Sequence, residues 1–449
     1  MASSLLERLG LQRPELRAWA MYDWANSGML TVVITAVFPI YFSRVVAGGL
    51  APAEATERFS LATTLALILI AVLSPLLGAF ADRGGHKLRF LAFFMALGAA
   101  ATSGLFLAGS GEWLFALILF GLANVGLNGS FIFYDALLPH VAQPDEMDRV
   151  STAGYALGYV GGGLLLALCL ALIQHPAWFH LPSGANLSPR EATLPTRLTF
   201  LLSALWWGVF SIPLFRRVQE PVSRLAARKE GAGLVAQTVH DLAGTFRDLR
   251  SYPQAFLMLV AFLLYNDGIG TIIRMATIYG AEIGIGTGGM IAAIVLVQFV
   301  GIPFAFIFGS LAGWLGTRRT IFVGLLVYVG ISIFGFFMKN ERDFLVLAVL
   351  VGIVQGGTQA LSRSLFATLI PRDRSGEFFG FFAVFEKFAG IFGPALFSLA
   401  LIVTGSSRNG ILSVIAFFVA GGVLLSRVDI EAGQRQARAA ELESAAASS

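Results

Sequence analysis

Charge is scarce in this chain and cysteine nearly absent. Asp, Glu, Lys and Arg make up 13% of its 449 residues, about half their usual share in a soluble globular domain, which excludes an ordinary water-soluble fold. The single cysteine, Cys169, rules out an intrachain disulfide and, standing in an apolar run, reads as a small packing residue. His86, His140, His175, His180 and His240 are dispersed, so no metal cluster is suggested, and no G-x-x-x-x-G-K-[ST] phosphate loop is present. Nothing in the sequence asks for a cofactor, for enzyme chemistry or for a nucleotide-driven pump. The formal charge of +4 comes from basic residues scattered through short loops without interleaved aromatics, which argues against a nucleic-acid partner.

What the chain has is apolar length. Hydrophobic residues make up 56% of it and the mean hydropathy is +0.76. A bilayer-spanning helix needs about 20 mostly apolar residues, and such runs occur at 18–43, 59–81, 88–108, 113–138, 151–174, 197–215, 254–281, 288–314, 319–338, 343–370, 377–404 and 410–426. They are continuous and lack period-two alternation, so a β-barrel is excluded. The predicted fold is an all-α polytopic membrane protein of twelve transmembrane helices in two six-helix bundles, residues 1–215 and 254–430. A basic connection, 216–253, holding a short surface helix joins them, and a tail, 431–449, frays after its first turns. Residues 1–18 lack the short apolar core and cleavage site of a signal peptide, so the first helix is expected to stay.

Orientation follows from Lys and Arg, which cytoplasmic loops retain. Most of the 31 fall on the side of the N-terminus, in clusters such as Arg83, Lys87, Arg89 and Arg216, Arg217, Arg224, Arg228, Lys229. The opposite side has only Arg44, Arg58, Arg190, Arg197, Lys339, Arg342 and Arg408. Both termini are therefore expected in the cytoplasm. The short loops suit a bacterial inner membrane, with a vacuolar membrane as the alternative, and the chain is expected to be a monomer.

The halves repeat each other, as in transporters whose substrate site lies between repeats. Gly158, Gly161 and Gly162 correspond to Gly390, Gly393 and Pro394 at an offset of 232, and Pro139 to Pro371 at the same offset. Polar residues are concentrated in every third span. Span 1 carries Asp23 and Asn26, span 4 Asn124, Asn128 and Asp135, span 7 Asn266, Asp267 and Arg274, and span 10 Gln355, Gln359 and Arg363.

An ionised side chain at the centre of a membrane helix costs about 2.5 to 3.5 kcal/mol and persists where a partner, a proton or a wet cavity offsets that cost. Helices 1, 4, 7 and 10 are thus expected to converge on a polar chamber midway through the bilayer, with helices 3, 6, 9 and 12 toward lipid. Asp23 and Asp267 are the candidates for a proton or a substrate ammonium, Arg363 for a substrate carboxylate, and Asn26, Asn124, Asn128, Arg274 and Gln359 for further contacts. For the amides, interhelical hydrogen bonding as structural glue is an equal alternative. Asp267 and Arg274, two turns apart on one face, could be bridged by a doubly charged solute or paired with neighbouring helices. Asp135, one turn before Pro139, suits gating or structure as well as proton carriage.

The stretch Gly78-Ala79-Phe80-Ala81-Asp82-Arg83-Gly84-Gly85-His86-Lys87-Leu88-Arg89 resembles the signature loop of the major facilitator superfamily, with a degenerate copy at Gly309–Thr320 that has Gly313 in place of the acid. The resemblance implies a gating latch formed by Asp82, Arg83 and Lys87, the acid facing the N-terminal end of helix 11. Tyr22-Asp23-Trp24-Ala25-Asn26-Ser27, Tyr265-Asn266-Asp267-Gly268 and Gly356-Gly357-Thr358-Gln359-Ala360-Leu361-Ser362-Arg363-Ser364 are similar to the vacuole-effluxer-like branch of that superfamily. This implies a secondary transporter that exports a small polar solute, amino acids in the first place, by alternating access with proton coupling. A non-transporting receptor or a lipid scramblase on the same fold is the alternative.

Overall fold

Twelve helices long and apolar enough to cross a membrane organise the structure, a computed structural model that describes residues 5–184, 186–221, 249–282 and 284–448. They are α1 (Pro14–Val46), α2 (Pro52–Gly84), α3 (Lys87–Leu107), α4 (Trp113–Val141), α5 (Met147–Gln174), α6 (Pro189–Arg217), α7 (Pro253–Arg274), α8 (Gly288–Leu315), α9 (Thr317–Phe337), α10 (Glu341–Thr368), α11 (Arg372–Thr404) and α12 (Ser407–Ser426). Among the described residues there is no strand. The short surface helix expected in the 216–253 connection falls mostly on 222–248, outside the described residues.

Several helices start or bend where the sequence removes a backbone donor. Proline stands in the first turn of α1, α2 and α6, where its missing N–H costs nothing. In α1 the N–H of Phe38, just before Pro39, reaches back five residues to Val33, and wide turns of this kind run over Leu30–Val37 and Phe42–Val46. A lost i→i−4 bond is the usual cause of such widening.

Within the N-terminal half α1 packs on α5 and α6, and α3 on α4. In the C-terminal half α7 packs on α12, and α8 on α10. The halves meet along α2 with α11 and α5 with α8, aided by α5 with α10 and α4 with α11. At the first of these seams the backbones nearly touch. A Cβ on Gly376 would stand 2.7 Å from the Gly78 carbonyl oxygen, and one on Gly380 would stand 2.5 Å from that of Ser74, so only glycine permits the approach. Large apolar side chains such as Leu65 and Val72 on α2, Leu205 on α6, Leu326 on α9 and Ile402 on α11 are exposed on the outer surface, as a lipid-facing wall requires.

The even number of spans puts both chain ends on one face, called here the terminal face. There the tail departs from the expected fraying: α13 (Ile430–Ser448) is a docked helix. Ala437 is buried, Gln436 donates to the Ser251 carbonyl, and Glu441 accepts the Arg372 N–H at 2.9 Å. On the same face Glu220, just past α6, receives the Leu88 N–H at the start of α3 on both carboxylate oxygens at 3.0 Å, and partial burial holds its carboxyl above the ordinary range.

Candidate functional site

Arg363 is the centre of the buried polar structure. It lies on α10 five residues from the terminal-face end and is 3% exposed. Its Nη1 donates to Asp135 on α4 at 2.9 Å and its Nη2 to Asp23 on α1 at 3.4 Å, while Nε reaches the Ser151 hydroxyl and Nη2 the Ser151 carbonyl on α5, each at 3.0 Å. The Tyr134 hydroxyl donates to the same Asp23 oxygen at 2.9 Å. Rings of Trp19, Tyr134 and Tyr155 surround the guanidinium carbon at 4.8 to 5.4 Å, and Trp19 stacks on Tyr134. Such contacts favour a cation in a dry site. One guanidinium from the C-terminal half is therefore gripped by two carboxylates and a serine from the N-terminal half.

Asp135 joins Asp23 at the guanidinium of Arg363. The arrangement of these residues departs from the expected chamber in two respects. Arg363 has all three of its nitrogens engaged by the protein, so it offers no free fork to a substrate carboxylate in this state. Asp267 lies elsewhere: it is 14 residues into α7, roughly 21 Å by helical rise, whereas Asp23 is nine residues into α1, roughly 14 Å. The charged cluster accordingly lies toward the terminal face rather than midway.

Asp267 and Arg274 both attend to a break in α11, which is helical over Ser375–Phe388 and again over Phe392–Thr404. The cause is readable at Pro394. It has no N–H for the Gly390 carbonyl four residues back, and its ring crowds that carbonyl. The freed carbonyl accepts from Arg274 Nη1 at 2.9 Å, and Asp267 Oδ2 accepts the unused N–H of Gly393 at 2.8 Å. The other Asp267 oxygen is buried without a hydrogen-bond partner among the described residues.

The amides behave differently from one another. Asn124 and Asn128 donate to the carbonyls of Phe120 and Asn124 on their own helix, at 2.9 and 2.8 Å, rather than into a shared chamber. Gln359 donates to Asn266 at 3.4 Å, joining α10 to α7. Asn26 is fully buried, and its Nδ2 has no hydrogen-bond partner among the described residues.

In the signature loop Asp82 is 1% exposed. Its two oxygens accept the N–H groups of Gly376 and Glu377, at 2.9 and 2.7 Å, at the start of the α11 helix, where a carboxylate meets the positive end of the helix dipole. Lys87 pairs with it at 2.6 Å, and Arg83 is the next residue on α2.

Tyr134, Ser151 and Tyr155 were not among the candidate site residues singled out in the sequence. Sequence reasoning also left Asp148 in a loop, although it stands in the first turn of α5 and takes Thr317 Oγ1 at 2.6 Å and Ser364 Oγ at 2.5 Å. Adjacency of Tyr134 to Asp135 was the one available signal.

Residues 53–438 match the family model described as vacuole effluxer Atg22 like. The chain is 37% identical over 415 residues to the uncharacterized MFS-type transporter YxiO of Bacillus subtilis, covering 92% of this chain and 94% of that one. It is 26% identical to autophagy-related protein 22 of Yarrowia lipolytica over 64% of its own length, and spans 51% of that longer protein. Among solved structures the fold is similar to the E. coli fucose:proton symporter FucP, with TM-score 0.68 at 12% identity over 92% and 98% of the two chains. It is also similar to a bacterial homologue of the iron transporter ferroportin in an outward-facing state, with TM-score 0.64 at 15% identity over 92% and 99%. The chain belongs to the vacuole effluxer Atg22-like family of major facilitator transporters.

Proposed function

We propose that this transporter is a proton-coupled exporter of small zwitterionic solutes, amino acids in the first place, working by alternating access between halves 1–215 and 254–430. The observation that carries the reading is the charge count around Arg363. Asp23 and Asp135 share one guanidinium, which leaves one negative charge in excess in a dry site within the membrane. A like-charged carboxylate pair favours uptake of a proton or an ammonium group, which removes the excess. Occupancy of either carboxylate also releases one of the bonds tying α10 to α1 or α4. Loading the site and loosening the halves thus become one event, which is what coupling requires.

In this reading Asp82, Arg83 and Lys87 hold the terminal face shut, and the bias of Lys and Arg toward that face supports a cytoplasmic placement for it in a bacterial inner membrane. The protein acts as a monomer in this reading. The test is the purified protein in liposomes with an imposed pH gradient and labelled amino acids. Uptake should follow the gradient and fall to background with Asp23→Asn or Asp135→Asn. Uptake unchanged by collapsing the gradient removes the proton. Binding without passage makes the protein a receptor, and lipid exchange without solute passage makes it a scramblase; either outcome ends the proposal.

A further inference from the structure

The two copies of the signature loop meet the opposite half with opposite chemistry. In the first, the loop supplies the acid, Asp82, and the start of α11 supplies the donors, Gly376 and Glu377. The second copy has Gly313 where an acid would stand. Positions 376 and 377 correspond, at the 232 offset, to 144 and 145 at the entry to α5, and the second residue of that helix is Asp148.

Asp148 Oδ2 accepts from Thr317, in the second loop copy between α8 and α9, and Oδ1 from Ser364, one residue past Arg363 on α10. Both donors belong to the C-terminal half. Acid and donor have exchanged places: the loop supplies a hydroxyl and the facing helix the carboxylate. A charge-assisted bond of this kind is stronger than a neutral one.

We propose that Asp148 is the acid of a second cytoplasmic latch, completing the closure that Asp82 makes on the other side of the pseudo-twofold axis. The inference rests on the alternating-access reading but not on any substrate, so its test needs no transported solute. Asp148 is a positioning residue: it biases the closed state and touches no cargo.

The seam supplies its own rescue. A Cβ added at Gly313 would meet nothing nearer than Arg149 Nη2 at 3.9 Å, so an aspartate there has room and a basic neighbour. In a Cys169→Ala background, Thr152→Cys places a reporter on α5 one turn beyond Asp148, at a position that is 1% exposed and near Gly309 of α8. Its alkylation by an impermeant maleimide is read in inside-out vesicles without substrate.

Asp148→Asn should raise the alkylation rate roughly tenfold, the population shift produced by weakening a charge-assisted bond. Adding Gly313→Asp should bring it back toward the parent rate. Thr317→Val with Ser364→Ala, which keeps the carboxylate and removes its donors, should raise the rate likewise and keeps the proposal testable if Asp148→Asn fails to fold. A parent-like rate in well-folded Asp148→Asn, or a raised rate that Gly313→Asp leaves unchanged, would overturn the assignment. If transport in the liposome assay fails while these rates move as stated, the latch stands and the cargo reading falls.

Discussion

The α1–α5 layer of the N-terminal half and the α7–α11 layer of the C-terminal half begin from similar parts and use them differently. Each first helix carries an aspartate one or two residues after a tyrosine, and each partner helix carries glycines at positions 232 apart. In the N-terminal layer α5 runs unbroken past Gly158, Gly161 and Gly162. Its backbone is self-satisfied, and Asp23 is left to reach across to Arg363. In the C-terminal layer Pro394 takes the place of Gly162, the helix breaks, and Asp267 and Arg274 are absorbed by the exposed N–H and carbonyl. One proline thus decides whether an aspartate bridges the halves or holds its own half together.

The sharpest way to break this comparison is Arg363→Gln, which strands two carboxylates in a dry site. Truncating one member of a buried ion pair costs about 3 to 5 kcal/mol, and thermal unfolding in detergent should show a loss of that order. Adding Asp23→Asn and Asp135→Asn should recover most of it, a non-additivity that identifies stranded charge as the cause.

Next is Gly162→Pro, which imposes the α11 sequence on α5. Among the described residues no arginine donates to the Gly158 carbonyl, so the full helix-breaking penalty of about 3 kcal/mol should appear, on top of the contact a Cβ would make with Thr31 Oγ1 at 2.8 Å. Asp267→Ala should cost less, about 1 to 3 kcal/mol for a buried N–H left without its acceptor. Asp267→Asn, which keeps an acceptor for Gly393, should restore most of that. Asn124→Ala should be the mildest, about 1 kcal/mol or less, because only one bond within its own helix is lost. An effect at Asn124 as large as that at Asp267 would mean that the amide has a partner across the halves after all.

The twelve spans were legible because lipid permits few solutions, and apolar length is a direct consequence of bilayer thickness. Asp23, Asp135 and Arg363 were each legible as ionisable groups that lipid should exclude. Their union was not, since Arg363 and Asp135 are 228 positions apart and no local pattern joins them. The stripe Asn124, Asn128 was misleading for a definite reason: a spacing of four that puts two amides on one face also puts each within reach of a carbonyl of its own helix. Asp267 was placed in the wrong company because the competitor for it, the Gly393 N–H, exists only once Pro394 has opened α11. The docked α13 was missed because its composition, rich in Ala and Glu, says how readily it coils but not what it lies against.

Four carboxylates bridge the halves in the contacts described above, Asp23, Asp82, Asp135 and Asp148, and every one belongs to the N-terminal half, facing donors of the C-terminal half. Two copies of either half could share this outline but could not mate, since acid would confront acid or donor would confront donor. The pseudo-symmetry therefore does not extend to charge, and chemical polarity fixes which half is whose partner.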